Sequence, residues 1–95
     1  MGEFKVNKAE NQFEYHQDGE MAFLEYIEKD GKIIMTHTEA PEAMQGTGAA
    51  KELVKNALQY SRDNNLQVSP SCPYVAKYIE KNPEWEDILT DGYRM

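Results

Sequence analysis

The chain changes rhythm near residue 41, and that change limits the folds open to it. Before it come short β-forming pieces: Phe4-Lys5-Val6, Phe13-Glu14-Tyr15, Met21 to Glu28 and Lys32 to Glu39. Asp18-Gly19 and Asp30-Gly31 separate the later pieces. Asp-Gly favours the two-residue hairpin turn whose central residues both take positive φ. The pattern predicts an antiparallel meander of four strands, with only Ala9-Glu10 between the first two. Met21-Ala22-Phe23-Leu24 and Ile33-Ile34-Met35 are apolar at successive positions. Such runs predict strands covered on both faces and central in the sheet.

After Gly48 the period is helical. Ala50, Leu53, Val54, Ala57 and Leu58 fall on one stripe, while Lys51, Glu52, Lys55, Asn56, Gln59 and Arg62 take the solvent side. Asn64-Asn65 suits the left-handed geometry that closes a helix. Leu66-Gln67-Val68 reads as a short fifth strand. Pro70 and Pro73 bracket Ser71 and Cys72, and a second helix is predicted from Pro73 to Lys81, because proline fits a first helical position. Its apolar side is Tyr74, Val75, Tyr78 and Ile79; Asn82-Pro83 ends it, and Pro83 to Leu89 adds a helical turn. The expectation is a single α/β domain over residues 1–95, ordered from about 3 to 89 with a loose tail at 90–95.

Seventeen acidic against ten basic side chains give a net charge of −7. That balance argues against nucleic acid or an anionic membrane as partner, since both need a positive footprint, and it suits a cationic ligand such as an amine. The one cysteine, Cys72, excludes an internal disulfide and a cysteine-built zinc site. His16 and His37 lie in separate segments without metal-ligand spacing, so no metal is expected. No apolar run approaches the ~18 residues of a membrane span. Met1-Gly2-Glu3-Phe4-Lys5 has neither the basic start nor the apolar stretch of a secretory signal. A cytoplasmic protein is expected, a monomer or a weak dimer through exposed strand edges.

The chemistry concentrates in Gln45-Gly46-Thr47-Gly48-Ala49-Ala50, between the last strand of the meander and the long helix. A helix N-terminus carries unpaired amide donors and partial positive charge, and glycines before it let a ligand approach the backbone. Together they form a diphosphate cradle. The plainer reading is a glycine-rich turn that only starts a helix. Two known phosphate loops do not fit. A Walker loop needs Gly-Lys-Ser/Thr where Gly48 is followed by Ala49-Ala50, and the dinucleotide fingerprint needs a small residue where Lys51 stands.

Gln45-x-x-Gly48-x-Ala50 resembles the Gln/Arg-x-x-Gly-x-Gly/Ala signature of the GNAT superfamily of acetyl-coenzyme A-dependent N-acetyltransferases. Thr36-His37-Thr38, Pro70-x-Cys72-x-Tyr74-Val75 and Asn82-Pro83-Glu84-Trp85 resemble its small single-domain members, from about Phe4 to Leu89. The resemblance implies a minimal GNAT-like fold: the meander, a fifth strand, a central helix and a second C-terminal helix. It implies that the amides of Gln45, Gly46, Thr47, Gly48, Ala49 and Ala50 hold the diphosphate of coenzyme A. The pantetheine arm would enter a gap between the fourth and fifth strands, with the thioester near Thr38, Glu39 and Cys72. A backbone amide of Thr38 or Glu39 would steady the oxyanion while an amine attacks. The two helices that usually follow the first strand of a GNAT, and that help form the acceptor pocket, have no counterpart here. The family's Tyr-x-x-x-Gly-Phe-like segment has no close match either; Tyr78 is the nearest, and core packing suits it better.

Cys72 adjoins a helix N-terminus, which favours a thiolate, so a reactive thiol beside the coenzyme sulfur stands against a small buried packing residue. His37, expected on one face with Ile33, Met35 and Glu39, is the candidate proton acceptor, against a half-buried structural histidine. Phe13, Tyr15, Phe23, Tyr26 and Trp85 read as core. The leading function is acetyl transfer from acetyl-coenzyme A to an amine. The rivals are a coenzyme A-binding sensor or carrier and a protein-interaction domain on the same scaffold.

Overall fold

The structure is a computed structural model that describes residues 2–89; the tail expected at 90–95 lies outside the described residues. Strands β1 (Glu3–Asn7), β2 (Gln12–Gln17), β3 (Glu20–Lys29) and β4 (Lys32–Glu39) form the antiparallel meander. Asp18, Gly19, Asp30 and Gly31 all take positive φ at its hairpins. Four residues, Lys8 to Asn11, link β1 to β2, two more than expected. A 3-10 turn (Glu42–Met44) leads into α1 (Ala49–Asp63). Strand β5 (Gln67–Pro70) then pairs parallel to β4, which completes a sheet in the order β1-β2-β3-β4-β5. The fifth strand begins one residue later than predicted and takes in Pro70, an edge position where proline's missing donor costs little. Helix α2 (Pro73–Lys81) and a 3-10 segment (Pro83–Ile88) follow. No helix among the described residues is long and apolar enough to cross a membrane.

Both helices contribute to one core. Leu53, Val54, Ala57 and Leu58 of α1 and Val75 and Ile79 of α2 join Phe13, Leu24, Tyr26, Ile33, Met35 and Val68 of the sheet. Burying each large aliphatic there contributes about 1.5–3 kcal/mol. At the far end Trp85 closes the core, with the Arg62 guanidinium 4.4 Å above its ring. Arg62 also donates to the Glu84 carbonyl at 2.9 Å and pairs with Asp87, which ties α1 to the 3-10 segment.

Among the described residues no element covers the other face of the sheet. Met21, Phe23 and Ile34 are half-buried there, and Ile27 is 54% exposed. β3 and β4 are interior strands, as expected, but they are covered on one face only. Their apolar runs reflect a second face that packs against itself across the strands rather than beneath a further layer.

A β-bulge in β4 changes which side chains face the core. Tyr26 pairs with Met35, yet the adjacent Glu25 pairs with His37, so Thr36 has no opposite residue. The Thr36 hydroxyl donates to the Glu25 carbonyl at 3.2 Å. An inserted residue inverts the alternation beyond it. Thr38 therefore falls opposite buried Leu24, and His37 opposite exposed Glu25. The expectation that His37 shares a face with Ile33 and Met35 is corrected: its ring lies on the uncovered face, 6.3 Å from Phe23 and 3.8 Å from the Glu39 carboxylate.

On the same uncovered face Glu14 is buried among donors. Asn7 and Gln12 donate to it at 2.8 and 2.7 Å, and a ring nitrogen of His16 lies at 2.9 Å. These bonds, Asn7 first, hold its carboxyl at about 2, below an ordinary value of 4.5. A depressed folded value stabilises the protein above the unfolded value, and the gain is lost as pH falls through the folded one. We expect the melting temperature to fall between pH 4.5 and 2. In Glu14→Gln that segment of the curve should flatten in a circular-dichroism series; an unchanged slope would show that other carboxyls set it.

Candidate functional site

The site is built where β4 loses its second neighbour. β4 and β5 pair from Lys32–Gln67 to Met35–Pro70 and no further, while β4 continues to Glu39 beside β3 alone. The chain leaves β5 by donating the Cys72 amide to the Met35 carbonyl at 2.9 Å, and Cys72 caps the start of α2. A gap opens between the far half of β4 and α2. The Thr38 hydroxyl and the Cys72 sulfur meet across it at 3.2 Å, and Cys72 is only 4% exposed.

The loop from Gln45 to Ala50 borders this gap. Gly46 (φ +82°) and Gly48 (φ +86°) take the left-handed conformation, which disfavours side chains. Its amides divide into two sets. Gln45 N–H donates to the Glu42 carbonyl, Thr47 N–H to the Met44 carbonyl, both at 3.2 Å, and Ala49 N–H to the Thr47 hydroxyl at 3.3 Å. Gly46, Gly48, Ala50 and Lys51 donate to no acceptor among the described residues, and the first helical bond of this turn runs from Glu52 N–H to the Gly48 carbonyl at 2.9 Å. Of the six amides expected to serve a ligand, those of Gln45, Thr47 and Ala49 take part in the loop's own folding, while those of Gly46, Gly48 and Ala50 have no acceptor among the described residues. Amides without an acceptor at the start of a helix can serve an anion, because the helix N-terminus adds partial positive charge. The Gln45 side chain donates to the Ala40 carbonyl at 3.4 Å.

A cavity of about 380 Å³ lies over these amides, walled by Ala40, Gln45, Gly46, Gly48, Lys51 and Tyr74 among others. Lys51, placed by the helical pattern on the solvent side, lines it because the first turn of α1 faces the groove. A second hollow of about 430 Å³ shares Lys51 and Tyr74 and continues along Lys77, Tyr78, Lys81 and Asn82. Tyr78 packs against the core and also borders this hollow. Burial first, then the Glu84 carboxylate, pushes its phenol up. The structure therefore brings Thr38 and Cys72 together, sets the glycine loop beneath its own cavity, and leaves His37 on the opposite face of the sheet. Sequence reasoning missed Lys51, Lys77 and Lys81; the signal was the 74-77-78-81 spacing on α2, hidden because Tyr74 and Tyr78 read as its apolar side. Among the described residues no cluster of three or more His, Cys, Asp or Glu could hold a metal.

The cradle's strain is testable without a ligand. A Cβ on Gly48 meets nothing within 4 Å, so Gly48→Ala costs conformational energy alone, about 1–2 kcal/mol. Urea denaturation should show that loss; an unchanged midpoint would mean the loop relaxes out of the left-handed state.

Comparison with known proteins agrees with this arrangement. Residues 12–88 match the sequence model of the GCN5-related N-acetyl-transferase family. Protein NATD1 of Mus musculus is 37% identical over 67 residues, 70% of this chain and 59% of that protein. Protein NATD1 of Xenopus tropicalis is 35% identical over 66 residues, and the match spans only 60% of its length. Protein NATD1 of Danio rerio is 31% identical over 81 residues, 81% of this chain and 73% of that one. A GCN5-like protein from Staphylococcus aureus, solved by NMR, superposes with a TM-score of 0.66 at 29% identity, covering 93% of this chain and 87% of that one. With the five-stranded sheet, the β4 gap and the glycine loop before α1, these matches show that the chain belongs to the GCN5-related N-acetyltransferase family.

Proposed function

We propose that this chain binds acetyl-coenzyme A and transfers its acetyl group to an amine. The observation that carries the reading is the set of main-chain donors at Gly46, Gly48, Ala50 and Lys51 that have no acceptor among the described residues, beneath a cavity whose wall includes Ala40, the residue that follows β4. In this reading those amides hold the coenzyme diphosphate. The unpaired edge of β4 beyond Met35 takes the pantetheine arm, as a fifth strand would have done. A backbone donor of Thr38 or Glu39 steadies the oxyanion as the amine nitrogen attacks the thioester carbonyl. The carbon–sulfur bond then breaks, the coenzyme leaves as its thiolate, and the amine's proton passes to solvent. Thr38 and Cys72 line the acetyl end. Any part for His37 in moving the proton runs through water from the uncovered face, where Glu39 stands 3.8 Å away. The net charge of −7 favours a cationic acceptor. A cytoplasmic monomer or weak dimer fits this scheme.

One observation favours a second reading, a coenzyme A sensor or carrier with little catalysis. β1 and β2 are joined by a four-residue turn, and no layer among the described residues covers the outer face of the sheet to form an acceptor pocket. Thiol release from acetyl-coenzyme A against a panel of amines separates the two: turnover above the buffer rate with any amine supports transfer, and none supports sensing.

Two outcomes are expected under the leading reading. By calorimetry, coenzyme A binds at micromolar strength to the parent and to Gly48→Ala, and not to Gly48→Glu, whose carboxylate opposes the diphosphate. Loss of binding in both variants would trace to loop distortion rather than charge. Cys72→Ala keeps transfer within about threefold, as a wall of the acetyl site would. A hundredfold loss, with acetyl-Cys72 seen by mass spectrometry of the parent, would instead make the thiol a covalent carrier.

A further inference from the structure

We propose that the hollow between the start of α1 and the outer side of α2 is a 3′-phosphate subsite, through which the chain distinguishes coenzyme A from its dephosphorylated form. The inference rests on the coenzyme reading and adds a part of the ligand that the glycine loop does not address. Tyr74, Lys77, Tyr78 and Lys81 fall at i, i+3, i+4 and i+7 on α2, so they share one side of the helix. Val75 and Ile79 hold the opposite side in the core. Lys51 from α1 completes the hollow.

Three observations point to a phosphate monoester. The chain carries ten cationic side chains against seventeen acidic ones, yet three of the ten line this hollow and no carboxylate does. None of Lys51, Lys77 and Lys81 forms an ion pair among the described residues, whereas Arg62 pairs with Asp87 and Lys5 with Glu3. Lys77 and Lys81 stand four residues apart on one helix face, a like-charge arrangement that is mildly unfavourable unless an anion lies between them. Glu84 and Glu52 act on the Tyr78 phenol, and neither lines the hollow.

Position is the fourth argument. In coenzyme A the diphosphate and the 3′-phosphate hang from one ribose. A diphosphate on the amides of Gly48 and Ala50 therefore puts the second phosphate one sugar away, and the hollow that shares Lys51 and Tyr74 with the cradle lies there. Tyr74, 41% exposed between the two hollows, offers a ring face for the adenine. Lysine suits the role as a mobile point charge with three donors, able to follow a freely rotating phosphate.

The test is calorimetry of the parent and of a Lys77→Gln/Lys81→Gln variant with coenzyme A and with dephospho-coenzyme A. Lys51 is left intact because it also borders the cradle. The parent should bind coenzyme A about tenfold more tightly than the dephospho form, the scale of a few exposed charge pairs. That ratio should shrink as salt rises from about 0.1 to about 1 M, where the screening length falls from about 10 to about 3 Å. The double variant should lose the ratio while its affinity for the dephospho form stays within about twofold. Equal binding of both ligands by the parent would overturn the subsite and leave the cradle standing. An equal loss for both ligands in the variant would also overturn it, since the lysines would then act as a general field. Binding of neither ligand by the parent would end the coenzyme reading and the subsite together.

Discussion

The fourth strand has two partners along its first half and one along its second, and the site follows from that asymmetry. Up to Met35 both edges of β4 are satisfied by β3 and β5. At Met35 the carbonyl takes its bond from the Cys72 amide instead, and the chain turns into α2. Directly afterward the bulge at Thr36 inverts the side-chain alternation. Strong edge pairing beyond Met35 would have sealed the gap; without the bulge, Thr38 would point away from Cys72. Strand length, bulge and helix start are three statements of one requirement, that polar backbone at the far half of β4 stay open without exposing the core beside it.

The resulting site is made of main chain more than side chain. A diphosphate needs donors whose positions are fixed before it arrives, and amides on a folded loop are fixed by the same bonds that fold the loop. Here the amides of Gln45, Thr47 and Ala49 bond within the loop, which leaves those of Gly46, Gly48, Ala50 and Lys51 without an acceptor among the described residues. The left-handed glycines produce that division. Charge is supplied separately, by lysines on two helices, in a chain whose surface is otherwise acidic. For the proposed anionic ligand, such a distribution of charge would favour one groove over loose association.

Much of this was legible in the sequence because it is local. Asp18-Gly19 and Asp30-Gly31 encode their own turns, the 50-53-54-57-58 stripe encodes α1, and Pro73 marks the first turn of α2. The glycine loop carried both its strain and its place before a helix. What escaped depends on contacts between distant segments. The bulge exists because of how β3 and β4 register, so alternation alone put His37 on the wrong face. The uncovered outer surface is a missing layer, and Met21-Ala22-Phe23-Leu24 cannot say whether its outer side chains meet a helix or one another. Lys51 belonged to a polar stripe by period and became a cavity wall only when α2 packed beside α1.

The same logic bears on how a thioester could reach the interior. Thr38 and Cys72 meet between β4 and the start of α2 through a hydroxyl and a thiol at 3.2 Å. A sulfur–oxygen bond of this kind is weak, since neither a thiol donor nor a thiol acceptor binds strongly. Separating the pair exposes no charge and strands no strong donor, because the hydroxyl can rotate to a new acceptor. The rest of the wall is backbone already anchored by the Cys72–Met35 bond and by α2's hold on the core through Val75 and Ile79.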